Sequence, residues 1–255
     1  MYGELRVAVV IPAHEEAELL PVTVAGLPDW VDGVIVVDDA SRDATAHVAS
    51  ELETSRLELI VHHENQGVGG AIVTGYRRAL CMGFDAVVVV GADNQMDPTE
   101  MPALLEPLVE GSADYVKGNR LGHPEVYRRM PWVRLIGNIV LTAMTRLATG
   151  YGHLRDAQCG YTAINRQTLE KLSLESLYPR YGFPNDLLAK LADIHARVVD
   201  RPVSPIYGQE QSGLRIRKVV FPILGILFRA RRQRTLRQRR ETRLVAHGPR
   251  AGESL

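Results

Sequence analysis

Three stretches concentrate the residue types that can bind a nucleoside or a metal: Pro12-Ala13-His14-Glu15, Asp38-Asp39-Ala40-Ser41 and Gly91-Ala92-Asp93-Asn94-Gln95-Met96-Asp97-Pro98. Each follows directly on a short β-branched run. Carboxylates at the first two can accept hydrogen bonds from a nucleobase or a ribose, and one at the third can hold a divalent cation on a diphosphate. An isolated Asp39-x-Ser41 reads more simply as a helix cap, and Asp97 as the cap of a helix opening at Pro98. Three such strand ends in one chain shift the balance toward a binding site. A second group is cationic: Lys117-Gly118-Asn119-Arg120, then Arg134 with Asn138 one helical turn later. Planar guanidinium groups suit a phosphate because they donate to it bidentately. Without the flanking motifs the same arginines would be solvated surface residues.

These residues need a scaffold that gathers strand ends. Val7 to Ile11, Val34 to Val37, Leu57 to Val61 and Ala86 to Val90 read as strands buried on both faces, the signature of a parallel sheet. Between them Glu15 to Leu27, Ser41 to Leu52 and Ala71 to Met82 have helical periodicity. Strand-helix alternation predicts a doubly wound α/β fold whose ligands lie beyond the C-terminal ends of the strands. A fifth strand is expected at Asp114 to Lys117, and a helix from about Arg134 to Thr149. Further elements are expected at Tyr161 to Asn165, Asn185 to Ile194 and Ala196 to Val199. Gly67-Val68-Gly69-Gly70-Ala71 lacks the spacing of a P-loop or a dinucleotide fingerprint and reads as a tight turn that lets backbone approach a ligand.

The 255 residues suffice for one large α/β domain, and 30 Lys+Arg balance 30 Asp+Glu. That balance hides an asymmetry, because eight arginines from Arg229 to Arg243 crowd a basic C-terminus onto an acidic body. Cys81 and Cys159 are too few for a disulfide framework, which points to a reducing, cytoplasmic compartment. The N-terminus does not read as a signal peptide, and no apolar run reaches the roughly 18 residues of a spanning helix.

The motifs resemble glycosyltransferase family 2, of GT-A fold, and most closely its branch of dolichol-phosphate mannosyltransferases and polyprenyl-phosphate glucosyltransferases. The resemblance runs from about Leu5 to Lys218. It implies an inverting transferase that moves a monosaccharide from a UDP- or GDP-linked donor to a polyprenyl or dolichyl phosphate. By likeness, Pro12, Ala13, Glu15, Asp38, Asp39 and Asp93 belong to the nucleotide-sugar pocket, with Arg215 in a loop that closes over the donor. Asp93 and Gln95 are the ligands for Mg²⁺ or Mn²⁺, and Gly91 stands where the family's Asp-x-Asp has its first aspartate. Arg120, Arg134 and Asn138 match the acceptor-phosphate region, and Asp156-Ala157-Gln158-Cys159-Gly160-Tyr161 matches a segment near the transfer site. Asp186 stands where other GT-A enzymes place a catalytic or acceptor-site residue, although capping the following helix fits it equally well. The catalytic set is therefore Asp93, Arg120, Arg134 and Asp186. His14 replaces a usual asparagine and carries no assigned role.

Residues 1–218 are thus expected to form the transferase domain. Residues 219–255 form a tail that is apolar from Val219 to Phe228, broken by Pro222 and Gly225, and arginine-rich beyond. That composition suits peripheral docking on the cytoplasmic face of a membrane. Nucleic acid ranks below lipid as a partner, since the body is acidic and lacks an aromatic stacking pattern. Three other readings stay open: a nucleotide-sugar binder impaired by Gly91, a transferase with a non-lipid acceptor, and a nonenzymatic membrane scaffold. A sugar-phosphate nucleotidyltransferase would need an N-terminal glycine-rich loop that this chain lacks.

Overall fold

The computed structural model describes residues 1–52, 54–123, 125–206 and 216–246, with side chains 127, 129, 216–220 and 237–246 left undescribed. The chain runs β1 (Val7–Ala13), α1 (Leu20–Ala25), β2 (Gly33–Asp38), α2 (Thr45–Glu51), β3 (Leu57–Val61), α3 (Val68–Cys81), β4 (Ala86–Val89) and α4 (Met101–Val109). It continues with β5 (Tyr115–Asn119), α5 (Val126–Arg129), α6 (Trp132–Thr149), β6 (Thr162–Asn165), α7 (Arg166–Lys171), α8 (Phe183–Asp193), β7 (Val198–Pro202) and α9 (Ile216–Ala246).

The seven strands form one sheet in the order β3-β2-β1-β4-β6-β5-β7, and only β6 runs antiparallel to its neighbours. The expected mixed α/β architecture is therefore present. Each face of the sheet carries its own core. Val10, Ile35, Val37 and Val87 meet α3 and α8 on one side, while Val9, Val36 and Val88 pack on the other side with Leu104 and Leu105 of α4. Both faces are covered, which explains why β1, β2 and β4 are continuous apolar runs. The edge strand β3 departs from this expectation, since four of its five residues are only half-buried and Val61 is exposed.

Helices α1 and α2 begin later than their periodicity predicts, at Leu20 and Thr45, and for α1 the reason is local. After β1 the amides of Glu15, Glu16 and Ala17 donate to Ser41 Oγ, Thr45 Oγ1 and Asp43 Oδ2. Donors that would open a helix at Glu15 are thereby satisfied by the loop after β2, and α1 starts only at Leu20.

The tail also differs from expectation. A boundary after residue 218 falls inside α9, which is continuous through Pro222. Ile223, Ile226 and Leu227 are buried, and Ile223 and Leu227 pack with Ala148 of α6. Burial of each such side chain contributes roughly 2 kcal/mol, enough to hold a helix across one missing proline donor. The apolar half of the tail is thus partly consumed within the protein.

Candidate functional site

The chain lays β2 and β3 on one side of β1 and then crosses to put β4 on the other, so a topological switch point opens between β1 and β4. There lies a cleft of about 500 Å³ lined by Pro12, Ala13 and His14 after β1, Asp39 after β2, and Gly91, Ala92 and Asp93 after β4. A second cleft adjoins it through His14 and Asn65 and holds Glu15 and Arg42. The three strand-end motifs therefore converge.

Backbone strain converges with them. Glu15, Ala40 and Asn94 have positive φ values of 58°, 56° and 53°, and each lies just past one of these strands. Left-handed conformations cost non-glycine residues about 1–3 kcal/mol and cluster where geometry serves function.

The two aspartates at the end of β2 are spent largely on local hydrogen bonds. Asp39 is buried, and its carboxylate accepts from the amides of Gln66 (2.8 Å) and Gly67 (2.7 Å) and contacts His62 Nδ1 at 2.8 Å. Asp38, also buried, binds the amide and hydroxyl of Ser41 and does not line either cleft. Of the residues expected to contact a nucleotide, Pro12, Ala13, Asp39 and Asp93 line the larger cleft and Glu15 the smaller. Arg215 lies outside the described residues.

Asp93 is the group best suited to hold a cation. Burial raises its pKa, opposed by the Gln95 amide, which donates to its carboxylate at 3.2 Å. Such a carboxylate gains from a divalent metal, which commonly uses one or two carboxylates, water and substrate phosphate oxygens. Among the described residues no cluster of three His, Cys, Asp or Glu could hold a metal, so Asp93 and Gln95 would share the ion with a diphosphate. Asp97 is occupied elsewhere: its Oδ1 accepts from the amide and hydroxyl of Thr99, capping the turn at Pro98. Gly91 is closely overlaid, because a Cβ there would stand 2.8 Å from Asp93 Oδ1. Its amide points at the Met96 sulfur, 3.2 Å away.

Sequence reasoning missed what closes the cleft. The segment from Tyr178 to Phe183 sits on the glycine-rich first turn of α3 and its cap Gly67, where Gly70 N donates to Pro179 O at 2.9 Å. A Cβ on Gly67, whose φ is +90°, would lie 2.7 Å from Pro179 O, and one on Gly69 would lie 2.7 Å from Tyr178 O. The glycines thus admit a second chain segment as well as bringing Gly67 and Val68 to the cleft wall. That segment delivers Arg180 and Tyr181 to the rim, where Arg180 reaches Asn65. The glycine spacing was the available signal, but only the fold identifies its partner.

The cationic group is organised by burial. Arg120 grips Asp156 with Nε at 2.8 Å and Nη2 at 3.2 Å, the arginine one-quarter exposed and the aspartate fully buried. Lys117 is also fully buried and donates to Cys159 O; burial lowers its pKa, while Asp156 and Asp200 oppose that shift. Asp200, its register partner on β7, buries an Oδ1 without a hydrogen-bond partner. Leu121 and Leu135, each next to one candidate clamp, pack in one cluster with Val126 and Met130. The segments bearing Arg120 and Arg134 are thereby held together. Arg134 is exposed in the first turn of α6, and Asn138 one turn on donates to the Met130 sulfur at 3.7 Å.

Asp186 is placed differently from its expected role. It accepts from Tyr178 N at 2.9 Å and lines a separate cleft with Lys190 and Arg229, and it does not cap α8, whose N-cap is Gly182. Its neighbour Asn185, fully buried, makes the link instead: it accepts from Gln158 Nε2 at 3.1 Å and donates to Thr145 of α6 at 2.8 Å.

Comparisons with known proteins bear on the family and the fold. Residues 8–173 match the family model described as Glycosyl transferase family 2. Over 213 residues, 78% of this chain and 84% of the relative, the sequence is 30% identical to a UDP-N-acetylglucosamine–dolichyl-phosphate N-acetylglucosaminyltransferase of Methanococcus voltae. It is 32% identical to an undecaprenyl-phosphate mannosyltransferase of Micrococcus luteus over 210 residues, 78% and 83% of the two chains. A solved glucosyl-3-phosphoglycerate synthase from Mycobacterium tuberculosis, in complex with Mn²⁺, UDP and glucosyl-3-phosphoglycerate, superposes with a TM-score of 0.69 at 20% identity, covering 89% of this chain and 80% of that one. That likeness supports the GT-A fold. With the family model spanning most of the sheet and the switch-point cleft, this chain belongs to glycosyl transferase family 2 and is a glycosyltransferase.

Proposed function

We propose that the enzyme transfers a monosaccharide from a nucleoside diphosphate-sugar to a polyprenyl or dolichyl phosphate, with inversion at the anomeric carbon. The observation that carries this reading is the pairing of two unlike regions: a carboxylate-bearing cleft at the switch point and a separate arginine-bearing segment fixed by Asp156. The relatives named for dolichyl- and undecaprenyl-phosphate transfer support the lipid acceptor.

The donor would lie across the two strand-end clefts with its diphosphate near Asp93 and Arg180. A divalent Mg²⁺ or Mn²⁺ held by Asp93 and Gln95 would neutralise the departing diphosphate. Without neutralisation, a carboxylate and a phosphate in contact repel by about 4 kcal/mol at an effective dielectric near 20. The acceptor is a phosphate monoester with a second pKa of about 6, largely ionised at neutral pH, so no strong general base is required. Arg120 and Arg134 would then orient a phosphate oxygen in line with the anomeric carbon, and orientation is the main service such a nucleophile needs. Asp186, which lines a separate cleft and accepts from Tyr178 N, would take no part in this step.

Transfer from radiolabelled UDP- and GDP-sugars to a polyprenyl phosphate in detergent, with Mg²⁺, Mn²⁺ or chelator, tests the reading. Lipid-soluble label that disappears with chelator, Asp93→Ala or Arg134→Ala is expected. Label appearing only on a soluble phosphorylated acceptor would replace the lipid with a small molecule. Nucleotide binding without any transfer would identify a binder impaired at Gly91.

A further inference from the structure

Helix α6 presents an apolar face that nothing in the described chain covers. Trp132 and Val133 are each 70% exposed, Ile136 59%, Ile139 and Val140 each 50%, and Leu147 63%. At 100° per residue these six positions fall within an arc of about 120°, along a helix of 18 residues. The other directions are already occupied. Leu135, Thr142, Thr145 and Thr149 are buried on the inner side, and Leu141, Met144 and Ala148 pack with α9 on one flank. Isolated exposed hydrophobics are ordinary, but a contiguous stripe along a whole helix marks an interaction surface.

The neighbouring helix indicates what covers it. On α9, Phe221 and Phe228 are 69% and 73% exposed, while Ile223 and Leu227 turn inward toward α6. Along its length α9 carries ten Lys and Arg residues against a single acidic one, Glu241, and α6 carries no Asp or Glu at all. An apolar stripe beside a concentrated positive charge is complementary to a surface that is apolar within and anionic at its boundary. A symmetric contact with a second copy would instead bring two such basic helices together.

We infer that α6, flanked by the basic helix α9, is the face by which this enzyme lies on an anionic lipid leaflet, with the Trp132-to-Leu147 stripe immersed. The docking surface therefore centres on α6, not on Ile223, Ile226 and Leu227 of the tail, which are turned into the protein. An amphipathic helix in this orientation lies in the plane of the interface, and its arginines meet the headgroups. Arg134, the proposed acceptor clamp in the first turn of α6, lies about 160° from the centre of this stripe, so docking leaves it on the side of the helix turned away from the lipid interior. No helix among the described residues is long and apolar enough to cross a membrane, so attachment to one side agrees with the fold.

Vesicle flotation tests this without substrate, using phosphatidylcholine vesicles with and without phosphatidylglycerol. The full chain should float with phosphatidylglycerol vesicles, and raised salt should weaken that binding. The triple variant Ile136→Ser, Ile139→Ser, Val140→Ser should lose at least about tenfold in partitioning, because exposed apolar area supplies the insertion. Its thermal transition should match the parent, since none of the three side chains is buried. Quenching of Trp132 by brominated phosphatidylglycerol, absent in Trp132→Phe, locates the immersed face. Undiminished flotation of the triple variant, or a dimer in sedimentation equilibrium that the triple variant abolishes without vesicle binding by the parent, would overturn the inference. Because neither nucleotide nor polyprenyl phosphate is present, failure here is distinct from failure of the transferase reading.

Discussion

Replacing Asp156 by Asn probes the arrangement that holds the acceptor arginine. The carboxylate is fully buried and accepts from Arg120 Nε at 2.8 Å, Arg120 Nη2 at 3.2 Å and Gln158 N at 3.0 Å. Removing one partner of a buried ion pair costs about 3–5 kcal/mol, because the other charge stays behind. Here Arg120 is one-quarter exposed and regains some water, which favours the lower end, about 3 kcal/mol. Lys117 works the other way, since it is wholly buried and also loses a compensating charge. At about 2–4 °C per kcal/mol for a chain of this size, the thermal midpoint should fall by about 6–12 °C at neutral pH. Calorimetry on Asp156→Asn, Arg120→Gln and the double variant checks it, and the coupling between the two sites should exceed about 1 kcal/mol. Acid provides a second check. Burial alone would raise the Asp156 pKa, but the charge and hydrogen bonds of Arg120, with Lys117, bring it below its ordinary value. Its contribution is therefore present above the unfolded value near ~3.9 and is lost as pH falls through the lower folded value. The gap between parent and variant should narrow in that window. A loss below about 1 kcal/mol, or additive single variants, would refute the claim that this pair organises the segment.

Two further outcomes concern the donor cleft. Arg180→Ala should weaken UDP or GDP binding about tenfold, the loss of one charge-assisted contact of about 1.5 kcal/mol, while leaving uridine or guanosine binding unchanged by calorimetry. Equal losses for nucleoside and diphosphate would remove Arg180 from the diphosphate site. Gly91→Asp adds a carboxylate whose Cβ starts 2.8 Å from Asp93 Oδ1, and two such charges about 4 Å apart repel by up to about 4 kcal/mol. The metal-free variant should melt below the parent and gain more from Mn²⁺, and identical Mn²⁺ shifts in the two proteins would dismiss Gly91 as the missing ligand position.

Much of the fold could be read from local patterning. The apolar runs at Val7, Val34 and Ala86 had no alternative to burial on both faces, and alternation with helices made a parallel sheet the simplest arrangement. The carboxylates at the strand ends could be located the same way, because a parallel sheet necessarily puts them on one edge. Motif likeness supplied the family, which the comparisons then showed. Other features depended on distant contacts. That Asp39 spends its carboxylate on Gln66, Gly67 and His62 depends on a loop more than twenty residues away. Asn185 rather than Asp186 joins the acceptor segment because α8 turns that side chain toward Thr145, a choice that helical spacing within α8 does not make. The tail shows the difference most clearly. Its composition placed an apolar segment next to a cluster of arginines, but hydropathy counts side chains without saying which way they turn. Packing of α9 on α6 and α8 buried Ile223, Ile226 and Leu227 and left the outward stripe of α6 uncovered among the described residues, so tertiary contacts decided which of these apolar side chains face outward.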